Sequence, residues 1–240
     1  MKKCAVILLV ILVSCSKNGT SVVSYEMAMK KFKKSNYTLA AEDFEKLDDA
    51  FPFTKDASNG LIMSAYSYYK AKKYDESIRV INYFINSNPI SEYLPYLYYL
   101  KGLNYQARIT LIQRARDVTE TTYSAFSGLI SAYPNTAYAE DAKSRIKIIR
   151  NMLSANDLFV ANYYFSNRNY IGAMNHYKNI VENFKDSDYV AEALYRLVEI
   201  NDIFSLKLDA LQYYTILNSN YKGDKWEKYA FNIIKNYDEK

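Results

Sequence analysis

Cysteine, histidine, glycine and proline are all scarce in this 240-residue chain, and each shortage argues against a class of protein. The only cysteines are Cys4 and Cys15 and the only histidine is His176, so the sequence offers no cysteine–histidine cluster for a metal. Six glycines and four prolines leave no recurring turns between short strands and no glycine-rich phosphate loop. These shortages argue against a metal site and against an all-β fold.

Charge of one sign is also lacking, with 31 basic and 26 acidic side chains and a net charge of +5. That balance gives no case for binding nucleic acid. No nucleophile has a neighbouring histidine and no carboxylate pair lies in an apolar setting, so we predict no enzyme and no cofactor. Acidic residues such as Glu45, Asp48 and Asp49 are expected on a solvated helix face.

A long hydrophobic run is missing as well, but a short one stands at the amino end. Residues 4–13 are apolar and follow Lys2 and Lys3. As a helix they would span roughly 15 Å, about half of a bilayer core, which is typical of a signal peptide. The sequence Leu-Val-Ser-Cys at 12–15 resembles the bacterial lipobox, which predicts cleavage before Cys15 and acylation of its thiol. The alternative is a plain secreted protein with one idle thiol.

This leader sets the expected domain organisation. Residues 1–14 are predicted to be a lipoprotein signal peptide, 15–23 a lipidated tether, and 24–240 a helical domain. Because Cys4 leaves with the leader, the mature chain has no disulfide, and its fold must rest on packing.

The abundant features are 26 tyrosines and a repeated helical pattern. In each copy a small residue is followed by apolar residues four and seven positions later, which is one face of a helix. A divergent third copy keeps the register. The positions are Ala40, Phe44 and Leu47; Ser77, Ile81 and Phe84; Thr122, Phe126 and Leu129; Ala173, Tyr177 and Ile180; and Ala210, Tyr214 and Leu217.

Each copy is preceded by another helical pattern, so the unit is two helices of about 34–37 residues. The third and fourth units carry extra residues. The sequence therefore predicts an all-α tetratricopeptide-repeat solenoid of about five repeats, with an irregular helical bundle as the alternative. A last segment with Trp226, Ala230 and Ile233 on one face is expected to be a capping helix.

Several local motifs carry a resemblance that covers nearly the whole chain. They are "LDDAFPF" (47–53), "NPISEYLPYLYYLKGL" (88–103), "RDVTETTYSAFSGLISAYPNTAYAEDAKSRI" (116–146) and "VANYYFSNRNYIGAMN" (160–175). Together with the lipobox and five repeats, they are similar to the BamD, or competence-lipoprotein, family of outer-membrane β-barrel assembly lipoproteins. The segment 104–115 is shorter than in better-known members.

The resemblance implies a function at the periplasmic face of the outer membrane. Family members dock on BamA beside other assembly lipoproteins and receive unfolded β-barrel proteins. Phe51 and Tyr83 match positions assigned to substrate reception, with Phe51 replacing the family's tyrosine, although core packing is an alternative for Phe51. His176 stands where better-known members carry an arginine that meets BamA, and the alternative for it is an ordinary surface histidine.

Two other functions stay open at the level of sequence. One is a generic tetratricopeptide-repeat envelope lipoprotein that serves as a cell-division or peptidoglycan adaptor. The other is an anchored enzyme, which no catalytic set supports. Copurification with BamA separates the first of these from the assembly function.

Overall fold

A computed structural model describes residues 24–52, 54–109, 116–235 and 237. All regular secondary structure in these residues is helical. The eleven helices described are α1 (Tyr25–Lys33), α2 (Tyr37–Ala50), α3 (Lys55–Lys70), α4 (Tyr74–Ser87), α5 (Leu94–Gln106), α6 (Arg116–Ala132), α7 (Ala137–Ser166), α8 (Tyr170–Asn183), α9 (Val190–Ile203), α10 (Lys207–Asn220) and α11 (Lys225–Ile234).

The helices form five consecutive pairs, α1–α2 to α9–α10, and each helix packs on the next one in the chain. The first helices of neighbouring pairs are also in contact: α1 packs on α3, α3 on α5, and α5 on α7. This arrangement confirms the predicted all-α repeat array. The extra residues of the fourth unit lie in α7, which at 30 residues is about twice as long as α3, α5 and α9.

The repeated pattern folds this way because its small residue allows two helices to approach closely. The small residues of all five copies are completely buried, and the apolar residues four and seven positions later join them in the core, with one exception. Tyr214 is only partly buried, and its hydroxyl donates to Glu227 of the last helix. The buried side chains fall into successive clusters along the array, as expected for stacked repeats.

Four of the pair-internal turns use the same backbone geometry without glycine. Ser35, Lys72, Arg168 and Ser205 each have φ near +60°, the left-handed conformation. The following residue then donates its N–H five residues back, as Lys73 does to the Tyr68 carbonyl. These bonds satisfy carbonyls that the helix end leaves free.

The helix ends and the cap also follow the sequence. Pro52, Pro89 and Pro134 stand two residues after α2, α4 and α6 end. In α11 the predicted inward face is confirmed, because Ala230 is buried and Trp226 and Ile233 pack against the last core cluster. The exposed residues of this helix include Lys225, Lys228 and Asn232.

Some predictions fall outside the described residues. These are the leader 1–14, the tether 15–23 with Cys15, and residues 110–115, which are half of the shortened segment 104–115. In the parts of the chain that are described, no helix is both long and apolar enough to cross a membrane. Those parts also contain no group of three or more acidic, histidine or cysteine side chains arranged to hold a metal.

Candidate docking surfaces

The first surface is formed by exposed aromatic residues of the first two repeats. The side chains of Phe51 and Tyr83 are 50 % and 49 % exposed, so Phe51 is not a core residue. Phe51 lies at the carboxyl end of α2, where its N–H donates to the Leu47 carbonyl and its own carbonyl accepts from Thr54. The backbone on both sides of the aromatic ring is therefore fixed.

A hydrogen bond joins Tyr83 of α4 to α2, the helix whose carboxyl-terminal cap is Phe51. The Tyr83 hydroxyl donates to Asp48 over 2.8 Å, and Asp48 is one helical turn before Phe51. This bond, and the negative charge of Asp48, raise the pKa of the Tyr83 hydroxyl. An aromatic surface that is exposed and braced at both residues can receive an apolar segment with little loss of side-chain entropy.

Of the acidic residues expected on a solvated face, Asp49 is exposed as predicted. Glu45 and Asp48 depart from that expectation, because both are partly buried and accept hydrogen bonds from α4. Arg79 donates to Glu45 over 2.6 Å, one turn away from the Tyr83–Asp48 pair. Single-helix periodicity could not show these bonds, since the partners are 34 and 35 residues apart.

The second surface surrounds His176 on α8. Its side chain is 33 % exposed, and its Nδ1 lies 3.0 Å from Oδ1 of Asp157 on α7. A carboxylate only accepts, so this bond places the proton on Nδ1 and leaves Nε2 available. The imidazole also stacks on Tyr164, with 5.8 Å between ring centroids and 17° between ring planes.

Asp157 is the centre of this second surface, although its carboxylate is only 2 % exposed. Arg116, the first residue of α6, donates to Oδ1 over 3.0 Å, and Asn179 of α8 donates to Oδ2 over 2.7 Å. The carboxylate therefore joins three helices. A depression of about 330 Å³ lies over it, lined by Arg116, Asn156, Asp157, Val160, Asn175, His176 and Asn179.

Sequence reasoning found His176 but missed Asp157 and Arg116. The available signal was a lone carboxylate, Asp157, directly before the mainly apolar stretch "LFVANYYF" (158–165). A buried charge in such a setting needs a partner. Its partner Arg116 lies 41 residues earlier, and periodicity within α7 cannot identify it.

The carboxyl-terminal repeats add exposed apolar side chains near the turns of their helix pairs. Ile171 at the start of α8 is 69 % exposed and Leu208 at the start of α10 is 78 % exposed. Phe204, in the turn between α9 and α10, is 41 % exposed. Neighbouring apolar residues of this kind are typical of a surface that binds another protein.

Comparison with known proteins shows the family to which the chain belongs. The YfiO family model, described as an outer membrane lipoprotein, matches residues 17–215. The outer membrane protein assembly factor BamD of Rickettsia prowazekii is 32 % identical over 204 residues, which cover 85 % of this chain and 81 % of the relative. The protein of the same name from Caulobacter vibrioides is 26 % identical over 210 residues, covering 88 % and 69 %.

Among solved structures, the crystal structure of MamA is 14 % identical, with a TM-score of 0.36, and covers 89 % of this chain and 98 % of its own. The family match spans four of the five helix pairs completely and enters the fifth. It includes Phe51, Tyr83, Asp157 and His176. This chain, which is similar to the BamD assembly factors, belongs to the YfiO family of outer membrane lipoproteins.

Proposed function

We propose that this chain is a non-enzymatic assembly factor for outer-membrane β-barrel proteins, which docks on BamA and receives unfolded substrates. The observation that carries the proposal is the family match over residues 17–215, together with the 32 % identical assembly factor. A rigid helical array suits this task because it holds exposed docking residues at fixed separations without catalytic groups.

The proposal includes a lipid anchor at Cys15 and a position at the periplasmic face of the outer membrane. The lipobox at 12–15 and the short apolar leader support it. Under this proposal residues 1–14 are removed, 15–23 form the tether, and the domain 24–240 is held beside the membrane by its acyl chains. Intact mass of the amino-terminal peptide tests this part, and a free thiol or a chain that starts at Met1 would refute it.

Substrate reception is assigned to the aromatic surface with Phe51 and Tyr83. Both side chains are half exposed, and the bond to Asp48 supports Tyr83 in one orientation. An unfolded barrel protein offers extended segments with aromatic side chains, which such a surface can bind through ring contacts. The array then holds that segment near the insertion machinery.

Docking on BamA is assigned to the surface around His176. The bond to Asp157 fixes the imidazole, which is one third exposed, and leaves Nε2 available as a polar contact. Exposed apolar residues on the same carboxyl-terminal repeats supply burial area for such an interface. Other assembly lipoproteins are further partners under this proposal.

Affinity purification of the lipidated protein from membranes tests the function. Recovery of BamA in near-stoichiometric amount, and its loss when the carboxyl-terminal repeats are altered at Ile171 and Leu208, is the expected result. Recovery of cell-division or peptidoglycan-binding proteins without BamA would instead support the generic adaptor. The wild type and the variant altered at Ile171 and Leu208 should be compared at equal membrane abundance, so that a folding defect is not taken for a lost contact.

A further inference from the structure

The first helix, α1, presents a free face on the side away from α2. Ala28 is completely buried towards the second helix. On the opposite side the exposed residues are Glu26, Met27, Lys30, Lys33 and Lys34. A shallow groove of about 420 Å³ runs along this side, lined by Tyr25, Glu26, Met29, Lys30, Lys33 and Lys34.

Positive charge dominates this free face. Within the described residues Lys30, Lys33 and Lys34 form no salt bridge, whereas Lys31 pairs with Asp43 of α2. Glu26 is the only acidic residue in α1. Three unpaired lysines against one carboxylate leave a net positive face that is free to attract an anionic surface.

The next repeat extends this charge at the equivalent turn. Lys72 and Lys73 follow α3 as Ser35 and Asn36 follow α1, and both lysines are exposed. The carboxylates nearby are Asp75, which pairs with Arg108, and Glu76. The second repeat therefore adds exposed lysines at the same position in its turn.

An apolar component lies among the lysines. Met27 is 48 % exposed, and on the helix it shares a side with Lys30 and Lys34, three and seven residues later. An apolar side chain surrounded by lysines is typical of a helix that lies in the headgroup region of a membrane, where the lysine stems also bury their methylene groups.

The position of α1 in the chain identifies the surface that it meets. Only residues 16–23 separate Cys15 from Ser24, which caps α1, so the two are nine residue steps apart. Nine residues reach at most about 30 Å when extended. An acylated Cys15 would thus keep α1 within that distance of the lipid surface, where a weak electrostatic attraction is enough for contact.

We propose that the free face of α1, with Met27, Lys30, Lys33 and Lys34, lies against the anionic phospholipid headgroups of the membrane that carries the anchor. This inference rests on the proposed acylation of Cys15, and it adds a second membrane contact that fixes how the array is oriented. A chain held only by its acyl groups would rotate freely on its tether, whereas a chain that is also held at α1 directs its repeats away from the bilayer.

Lysine acetylation of the lipidated protein in vesicles tests the contact. Vesicles of phosphatidylcholine are compared with vesicles that contain 30 % phosphatidylglycerol, after intact mass has established that Cys15 is acylated. We expect acetylation of Lys30, Lys33 and Lys34 to slow by at least about fivefold in the anionic vesicles, and this protection to disappear at 1 M salt. Lys222, Lys228 and Lys235 at the other end of the array should react equally in both.

Equal labelling of the two lysine sets in an acylated protein would overturn the inference and leave the anchor intact. Protection in phosphatidylcholine that appears only with an added barrel-protein peptide would show a peptide site instead. Protection in phosphatidylcholine vesicles that grows with the density of the protein would show that a second copy of the chain covers α1. Either of these outcomes also contradicts the membrane contact.

A matched pair of variants checks that the charge is responsible. The triple change Lys30→Gln, Lys33→Gln and Lys34→Gln is combined with Cys15→Ala, and flotation on anionic vesicles is measured. The control carries Lys222→Gln, Lys228→Gln and Lys235→Gln, which removes the same charge at the far end. We expect flotation to fall by about fivefold or more in the first triple variant and to stay unchanged in the control. Equal midpoints of thermal unfolding for the two variants would show that both are folded.

Discussion

Nδ1 of His176 lies 3.0 Å from Oδ1 of Asp157, so the histidine that faces the proposed partner is held by its own chain. Asp157 is nearly inaccessible, and it also accepts from Arg116 and Asn179. A buried carboxylate that is satisfied by three donors joins α6, α7 and α8 at the middle of the array. The orientation of His176, the proposed docking residue, thus depends on this buried network.

Replacing Asp157 should destabilise the fold far more than replacing His176. Asp157→Ala removes the buried acceptor that Arg116 and Asn179 share and leaves Arg116 only its bond to Glu120, so we expect a loss of about 1–3 kcal/mol in the free energy of unfolding. His176→Ala removes a partly exposed bond and should cost about 0–1 kcal/mol. Urea unfolding measures both, with Asp49→Ala as an exposed control. A smaller loss for Asp157→Ala than for His176→Ala would show that the network is not structural.

Binding to BamA should respond to His176 even where stability does not. His176→Ala removes an exposed polar group from the proposed interface, and we expect the affinity to fall by up to about fivefold. Lys228→Ala is the control, because this residue is exposed on α11 at the end of the array. Identical affinity for wild type and His176→Ala would remove His176 from the docking surface.

The same substitution at two helical glycines should have opposite effects on stability. A Cβ at Gly102 in α5 would lie 2.5 Å from the Phe126 ring, whereas a Cβ at Gly128 in α6 meets nothing within 4 Å. Gly102→Ala should therefore destabilise by about 1–3 kcal/mol through overpacking. Gly128→Ala should stabilise by about 0.5–1 kcal/mol, because glycine is a poor helix former. Thermal unfolding of both variants checks the pair, and a shift of the midpoint in the same direction would contradict it.

The sequence predicted the repeats well because one helix face repeats within each unit. The small and apolar positions from Ala40 to Leu217 are local signals, and nearly all of them are buried as expected. The Asp157 network was not predictable in the same way, since Arg116 reaches Asp157 from another helix, and the Tyr83–Asp48 bond likewise joins two units. Such bonds depend on how far one repeat is rotated against the next, which a single repeat does not determine.

Glycine should stabilise the pair-internal turns that now use other residues. Lys72 and Arg168 have φ of 60° and 59°, a conformation that costs a non-glycine residue roughly 1 kcal/mol. We expect Lys72→Gly and Arg168→Gly each to raise the free energy of unfolding by about 0.5–1 kcal/mol. Lys73→Gly is the control, because Lys73 has a φ of −89° and gains nothing from glycine. An increase for Lys73→Gly equal to that for Lys72→Gly would contradict the explanation.

Acid should remove the contribution of Asp141, which joins α5 and α7. It accepts from the Tyr99 hydroxyl and from Arg145, and these bonds lower the pKa of its carboxyl below the usual 3.8. A lowered pKa in the folded state stabilises the protein above pH 3.8, and the contribution disappears as the pH falls through the lower folded value. Because Asp141 is about half exposed, Asp141→Asn should cost less than about 1 kcal/mol at pH 7. The free energy of unfolding of the Asp141→Asn variant should converge with that of the wild type well below pH 3.8. A difference that persists there would refute the proposed contribution of the Asp141 charge.

Photocrosslinkers at Phe51 and Tyr83 should capture a peptide that carries the carboxyl-terminal segment of a barrel protein. Both positions are half exposed, and Tyr83 bonds to Asp48 three residues before Phe51, so we expect one extended peptide to contact both of them. We expect capture at both positions, competition by unlabelled peptide, and little capture by a crosslinker at Lys228 on the last helix. Tyr83→Phe keeps the ring but removes the bond to Asp48, so it should weaken capture at position 51 only slightly. Capture at Phe51 and Tyr83 that is no stronger than at Lys228 would exclude this surface as the substrate site, because an unspecific peptide would label all exposed positions alike.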